Sequence, residues 1–240
     1  KQSKPAVLSS TIQETFLQFE FDGFHMIEAQ TPNGIEYIID LEGGSSILDA
    51  GAPDLDQFTT SIVIPDQGTT SIEVVSSSYR DYENVMVAPS KGNLSRQVIP
   101  SEVEYVYNDS FNQDSFYPGT LAELRAPYIL RDLRGQSVVI YPLQYNPQTN
   151  TLRLYSDIEV KVTTIGTDGE NALYRSESKR SLSREYNNIY EDLFLNYAND
   201  TRFDYIVDEG NMLIISYGDF MDEMQPLVDW KNRKGIPTEM

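Results

Sequence analysis

The stretch SVVIYPLQY at Ser137–Tyr145, the loop Asn146-Pro147-Gln148-Thr149-Asn150, and TLRLYSDIEVKVT at Thr151–Thr163 decide the fold. Two β-rich runs flank a five-residue polar loop, which is the pattern of a hairpin. On the second arm Leu152 and Leu154 share one face and Arg153 and Tyr155 the other. Further along, Ile158, Val160 and Val162 alternate with Glu159 and Lys161. A side-chain period of two means a strand with one face in a core and one in water.

Working back towards the N-terminus, Thr15–Asp22 repeats the alternation, with Leu17, Phe19 and Phe21 against Gln18, Glu20 and Asp22. Turn signals follow at Gly23, at Thr31-Pro32-Asn33-Gly34 and at Gly43-Gly44-Ser45-Ser46. Further β-rich runs are expected at Thr60–Ile64, Ser71–Ser76, Val85–Ala88 and Tyr105–Tyr107. Many short strands separated by turns predict an antiparallel β-sandwich or barrel.

Working forward, the texture changes over residues 166–185, where Gly, Ser, Asn and charge dominate and Arg175, Lys179, Arg180 and Arg184 gather. This reads as an exposed linker open to a trypsin-like protease. Tyr186–Ala198 then places Tyr186, Ile189/Tyr190, Leu193/Phe194 and Tyr197 at helical spacing, which predicts one amphipathic helix with a core-facing stripe. Met212–Ser216 is a short apolar run of the kind buried on both faces in a parallel sheet. Gly218–Lys234 reads as a helix, kinked at or starting from Pro226, with Gly235 as its stop and Pro237 beyond. The expectation is a mainly β protein, an antiparallel sandwich or barrel with a short α/β fragment at its C-terminal end. Lone in its chain, Met212–Ser216 should be disordered, swapped, or added to a sheet edge.

Composition narrows the function. The 240 residues hold 18 Lys+Arg against 37 Asp+Glu, a formal charge of −19, which disfavours nucleic acid and anionic membranes as partners. From Pro5 to Tyr79 twelve acidic residues stand with no Lys or Arg. That acidic face keeps a domain soluble, docks on a basic partner, or holds calcium, although no EF-hand-like run supports calcium. There is no cysteine, so disulfides, thiolate metal sites and a cysteine nucleophile are excluded within this chain. No apolar run reaches the roughly 18–20 residues of a membrane span. The opening Lys1-Gln2-Ser3-Lys4-Pro5 carries no signal-type stretch, which fits an intracellular protein or one whose export signal has been removed.

Catalytic constellations are missing too. His25 is the only histidine and sits in a strand-like context, as a structural histidine would. No Gly-x-Ser-x-Gly elbow, phosphate loop or HExxH helix is present. No pair of carboxylates is marked out by spacing, so a glycosidase-type enzyme has little to support it. No cofactor or metal ligand set is expected.

Several strings, taken in order, resemble the prodomain of the gingipain family of cysteine proteases. They are Val85-Met86-Val87-Ala88-Pro89-Ser90-Lys91-Gly92, Leu94-Ser95-Arg96, Tyr105-Val106-Tyr107, Phe116-Tyr117-Pro118-Gly119 and Leu130 to Gln136. Pro142 to Pro147, Thr151 to Tyr155 and Ile189 to Tyr197 continue the likeness. Leu227-Val228-Asp229-Trp230-Lys231-Asn232-Arg233-Lys234-Gly235 is similar to the first helix of the gingipain catalytic domain. The resemblance covers most of residues 60–240.

That resemblance implies a β-sandwich propeptide that assists folding of a downstream protease and holds it latent during export through the periplasm of a Gram-negative bacterium. It implies a prodomain over residues 1–202, with sandwich to about 165, linker 166–185 and closing helix 186–198. Residues 203–240 would open a caspase-like catalytic domain whose histidine and cysteine lie downstream, with Trp230 as a packing residue. In arginine-specific members a prodomain arginine enters the specificity pocket. Arg96 stands at the matching position, in the loop Leu94, Ser95, Arg96, Gln97, with Lys91 a second basic residue nearby. Arg202, before Phe203, stands where the family is cut from its catalytic domain. The family's internal cleavage arginine has no counterpart around Gln67-Gly68-Thr69-Thr70, and cuts at Arg175, Lys179, Arg180 or Arg184 would substitute. The partner implied is the cognate peptidase domain, with no nucleic acid and no membrane span. The alternative is a secreted acidic β-sandwich binding or adhesion module.

Overall fold

The computed structural model describes residues 5–174, 180–182, 184–197, 203–205 and 211–240. They group into two compact units, Lys1–Arg175 with Leu193–Asn199, and Ser176–Asp192 with Asp200–Met240.

In the first unit the strands are β1 (Ala6–Ser10), β2 (Glu14–Glu20), β3 (His25–Thr31), β4 (Gly34–Asp40), β5 (Ser45–Ser46), β6 (Asp56–Ile64) and β7 (Thr69–Tyr82). They are followed by β8 (Ala122–Leu124), β9 (Tyr128–Leu130), β10 (Leu133–Ile140), β11 (Leu143–Asn146) and β12 (Thr151–Ile165). One sheet runs β1-β2-β12-β11 with β7 also on β12, and the other runs β5-β6-β10-β8 with β9 also on β10. All the pairings within them are antiparallel. The β3–β4 hairpin stands beside them. One apolar core joins the sheets, Leu17, Phe19, Leu152, Ile158 and Val160 from the first meeting Phe58, Ile62, Val138 and Ile140 from the second. Phe58 makes edge-to-face contacts with Phe19 at 6.0 Å and Phe21 at 5.8 Å, so the two inner faces interlock at aromatic distance. This is the expected β-sandwich.

The hairpin is less simple than its sequence suggests. Ser137–Tyr145 is not one arm: β10 ends at Ile140, Tyr141-Pro142 crosses over, and β11 begins at Leu143 in the other sheet. Proline lacks the N–H that would extend β10, so the strand is released there. The true hairpin is β11–β12, with Asn146 paired to Thr151 and Asn150 at φ +50° in the turn.

Val85–Ala88 and Tyr105–Tyr107, expected as strands, are not regular strands. The first makes only isolated bridges at Val87 and, just beyond, at Pro89. Its Met86 carbonyl and Ala88 N–H go to Tyr37, while the Ala88 carbonyl and Ser90 N–H go to Asp54 and Ala52. Tyr107 is held by its side chain, its hydroxyl donating to buried Glu36 at 2.5 Å and lying within hydrogen-bond distance of Thr31 Oγ1 at 3.0 Å. His25 lies exposed at the start of β3 rather than inside.

Both faces of β10 are buried, which the alternation rule does not anticipate. Along the edge of the neighbouring β6, Phe194 bridges to Ser61, Leu195 N–H donates to the Ser61 carbonyl, and Asn196 bonds both backbone groups of Val63. Phe194 stacks on Tyr128, and a Cβ at Gly135 would lie 2.8 Å from Phe194 and 2.6 Å from Tyr128. At the end of the sandwich Arg134 is wholly buried, donating to the carbonyls of Pro65, Gly68 and Glu170. Residues 166–174, expected to begin an exposed linker, lie at the surface but are tied down by Arg134 and by Leu173 N–H to the Asp66 carbonyl.

In the second unit β13 (Arg180–Leu182) pairs in parallel with β14 (Phe203–Tyr205), and α1 spans Arg184–Leu193. The helix stops at Leu193, short of the expected Ala198, because the residues after it spend their backbone groups on β6 instead. Tyr190 is fully buried, as the stripe requires. β15 (Met212–Leu213), α2 (Met221–Arg233) and β16 (Thr238–Glu239) form a strand–helix–strand unit with a parallel β15–β16 pair. Residues 212–216 are therefore neither disordered nor added to the sandwich. Nor are they buried, since Leu213 is 68% and Ile215 91% exposed. The helix runs through Pro226 and ends at Arg233, with Lys234 as its cap and Gly235, φ +83°, just beyond. Trp230, expected to pack, is half-exposed, with Lys231 and Lys234 over its ring at 5.1 and 4.6 Å.

Candidate functional site

The Leu94–Gln97 loop is built on a buried backbone frame. Ala88 and Ala52 are fully buried. Ser90 N–H donates to the Ala52 carbonyl at 2.7 Å, and Gly51 N–H donates to the Ser90 carbonyl at 2.8 Å. The chain then turns at Gly92, φ +74°, where a Cβ would stand 2.8 Å from that of Ala50. Only glycine meets both the left-handed backbone and the close approach. Gly92 N–H is taken up by Ser90 Oγ at 3.2 Å.

Beyond the turn the loop carries its own local bonds. Val98 N–H donates to the Ser95 carbonyl at 2.9 Å, a turn that places Arg96 and Gln97 at the tip. Ser95 Oγ accepts from Gln97 N–H at 3.4 Å. Arg96 is exposed, and its guanidinium has no hydrogen-bond or ion-pair partner among the described residues. Leu94 is half-buried below it, and Val98 and Ile99 are 41% and 55% exposed on the return. The loop closes on a 3₁₀ turn at Pro100–Glu102, proline supplying the first position.

Lys91 spans the base. Its Nζ donates to the Pro100 carbonyl at 2.7 Å and lies 4.2 Å from the centroid of the Tyr105 ring. Lys91 is thus occupied at the neck while Arg96 is presented at the tip. A cleft of about 420 Å³ opens beside the neck, lined by Gln30, Lys91, Glu102, Glu104 and Tyr105 among others. Beneath the frame, burial first and the Asp56 charge second push the Asp54 carboxyl up to about 6. Burial and that same Asp54 charge raise the Tyr105 hydroxyl.

The other residues singled out in the sequence lie elsewhere. Arg175, Lys179 and Arg202 fall outside the described residues. Arg180 opens β13, Arg184 opens α1 and Phe203 opens β14. No group of three or more His, Asp or Glu that could hold a metal ion occurs among the described residues. No helix among them is long and apolar enough to cross a membrane. Ser90, Pro100 and Tyr105 support the loop without a sequence signal of their own, because their role comes from contacts across the frame. The nearest hint was the turn chemistry of Pro89-Ser90-Lys91-Gly92.

The Propeptide_C25 family matches residues 2–199. Gingipain R2 of Porphyromonas gingivalis is 36% identical over 236 residues, covering 98% of this chain and 32% of the relative. Gingipain R1 of the same organism is 36% identical over 237 residues, covering 98% and 23%. Lys-gingipain is 23% identical over 246 residues, covering 98% and 14%. This chain therefore spans about a third or less of the curated relatives it matches. Among solved structures, a complex of the pro- and mature domains of Porphyromonas gingivalis RgpB aligns at TM-score 0.75 and 35% identity, over 82% of this chain and 97% of that one. A structure titled for the zymogenic latency of gingipain K aligns at TM-score 0.57 and 20% identity, over 69% and 100%, a likeness of fold alone. With its sandwich fold, its lack of any cysteine and this match along most of its length, the chain belongs to the Propeptide_C25 family of gingipain propeptides.

Proposed function

We propose that this chain is the latency-maintaining propeptide of a secreted, gingipain-like cysteine endopeptidase, exported through the periplasm. Residues 1–202 would act as folding assistant and inhibitor, and residues 203–240 would open the catalytic domain. Arg96 would enter the specificity pocket of that peptidase. One observation carries the reading: in a member of this propeptide family, an exposed arginine without a partner among the described residues stands at the tip of a loop braced at its base. A guanidinium offers a planar, bidentate donor set to a pocket carboxylate, and a braced loop loses little freedom on docking. Competitive occupation follows, with Arg96 as the central anchor and Leu94, Val98 and Ile99 as apolar surroundings.

Release would follow cleavage after Arg202, before Phe203, assisted by cuts at Arg175, Lys179, Arg180 or Arg184. The acidic face would steer docking onto a more basic peptidase, in which case the association rate falls as salt rises, and a flat salt response removes that part. The test of the whole is inhibition of a mature arginine-specific gingipain by this chain, wild type beside Arg96→Ala. Tight inhibition weakened by one or more powers of ten is expected, about 1.4 kcal/mol for each. Equal inhibition by both proteins would remove Arg96 from the mechanism.

A further inference from the structure

We propose that Lys91 is the positioning residue of the Arg96 loop, a role that rests on the inhibitory reading above and deepens it. The loop from Gly92 to Ile99 has few ties of its own among the described residues: Gly92 N–H to Ser90 Oγ, Gln97 N–H to Ser95 Oγ, the turn from Val98 to Ser95, and Glu102 N–H to the Ile99 carbonyl. These bonds shape its ends and its tip. They do not hold the outgoing strand against the returning one. That connection is made by the Lys91 ammonium, bonded to the Pro100 carbonyl at 2.7 Å and set over the Tyr105 ring at 4.2 Å.

The physical case has three parts. Closing a loop costs entropy, and a tie across its neck removes that cost from the docking step. A charged donor to a carbonyl is stronger than a neutral one, and an aromatic face under the ammonium adds attraction. Pro100, whose ring fixes its φ, opens the 3₁₀ turn that receives the tie, so the clamp is anchored to a stiff end of the loop. Lys91 is therefore not a rival to Arg96 for the pocket. Its charge is used at the neck, and the division of labour between the two basic residues makes Arg96 the one presented.

Hydrogen exchange of the free chain reads the clamp directly, and inhibition reads its consequence. In Lys91→Met, the bonded amides of Gly92, Gln97 and Val98 should exchange at least about tenfold faster while the sandwich strands are unchanged, as for a local opening. Inhibition of an arginine-specific gingipain should weaken about tenfold in parallel. Lys91→Arg, which can still donate to the carbonyl and stack on the ring, should restore both. Unchanged loop exchange in Lys91→Met at an unchanged unfolding midpoint overturns the clamp. If the midpoint itself falls, the loop amides are compared with those of the sandwich strands: an acceleration no greater than theirs also overturns the clamp. Arg96→Ala separates the two readings. Faster exchange in Lys91→Met, with inhibition insensitive to Arg96→Ala, would keep the clamp and discard pocket blocking.

Discussion

Lys91 Nζ lies 2.7 Å from the Pro100 carbonyl oxygen, and this bond joins the two ends of the segment that carries Arg96. Five positions apart in the chain, the two cations have opposite situations, one engaged by backbone and ring, the other exposed. If that contrast sets the inhibitor's chemistry, charge alone at position 96 is not enough. Arg96→Lys should keep the charge, lose the planar fork and inhibit an arginine-specific gingipain at least about tenfold more weakly than wild type. Inhibition constants measured side by side check this.

Gly92→Ala tests the frame beneath the loop. The new Cβ would meet that of Ala50 at 2.8 Å with φ at +74°. A loss of about 1–3 kcal/mol is expected from backbone strain and crowding together, measured by urea unfolding. Inhibition should weaken as well, because the turn launches the loop.

Gly135 reports on the outer face of β10. A side chain there would collide with both Tyr128 and Phe194, the residue that brings the chain back onto β6 after α1. Gly135→Val should cost about 1–3 kcal/mol. Faster exchange of the Leu195 amide, bonded to Ser61, would show that the covering segment has lifted.

Arg134 has no counterpart expectation in a sandwich core, yet three carbonyls depend on it. Arg134→Met fills much of the volume and leaves the Pro65, Gly68 and Glu170 carbonyls without their donor. The expected loss is about 1–3 kcal/mol for each carbonyl left buried and unsatisfied, seen as a lower thermal midpoint, with the Leu173 amide exchanging faster.

Asp54 gives a pH signature. Its folded value, about 6, lies above the usual 3.8, so the fold binds its proton more tightly than the unfolded chain does. Stability from this group is greatest below about pH 4 and declines as pH rises to about 6, beyond which the deficit is constant. Asp54→Asn should match wild type at pH 4 and exceed it above pH 6, by at most about 3 kcal/mol. Denaturant titrations at the two pH values check the sign.

Much of this fold could be read from alternation. Leu17, Phe19 and Phe21 in β2 and Leu152, Leu154, Ile158, Val160 and Val162 in β12 carry a period of two, and all are buried. Where sequence reading failed, a residue took partners from outside its own strand. Val85–Ala88 has strand composition but divides its bonds between Tyr37 and the Ala52–Asp54 segment. The aromatic stripe of α1 continues past the helix because Phe194 is used on Tyr128 and not on a further turn.

By itself the sequence determined the antiparallel β class and the absence of a cysteine nucleophile, because periodicity and composition are local properties of a chain, while Arg96 was singled out by resemblance to the gingipain prodomain. Only the tertiary structure decided that Tyr141-Pro142 carries the chain between sheets, that Arg134 caps one end of the sandwich, and that Lys91 is tied while Arg96 is presented. Each of those depends on carbonyls and rings contributed by segments apart in the chain. A bond of that kind has no period and leaves no local pattern to read.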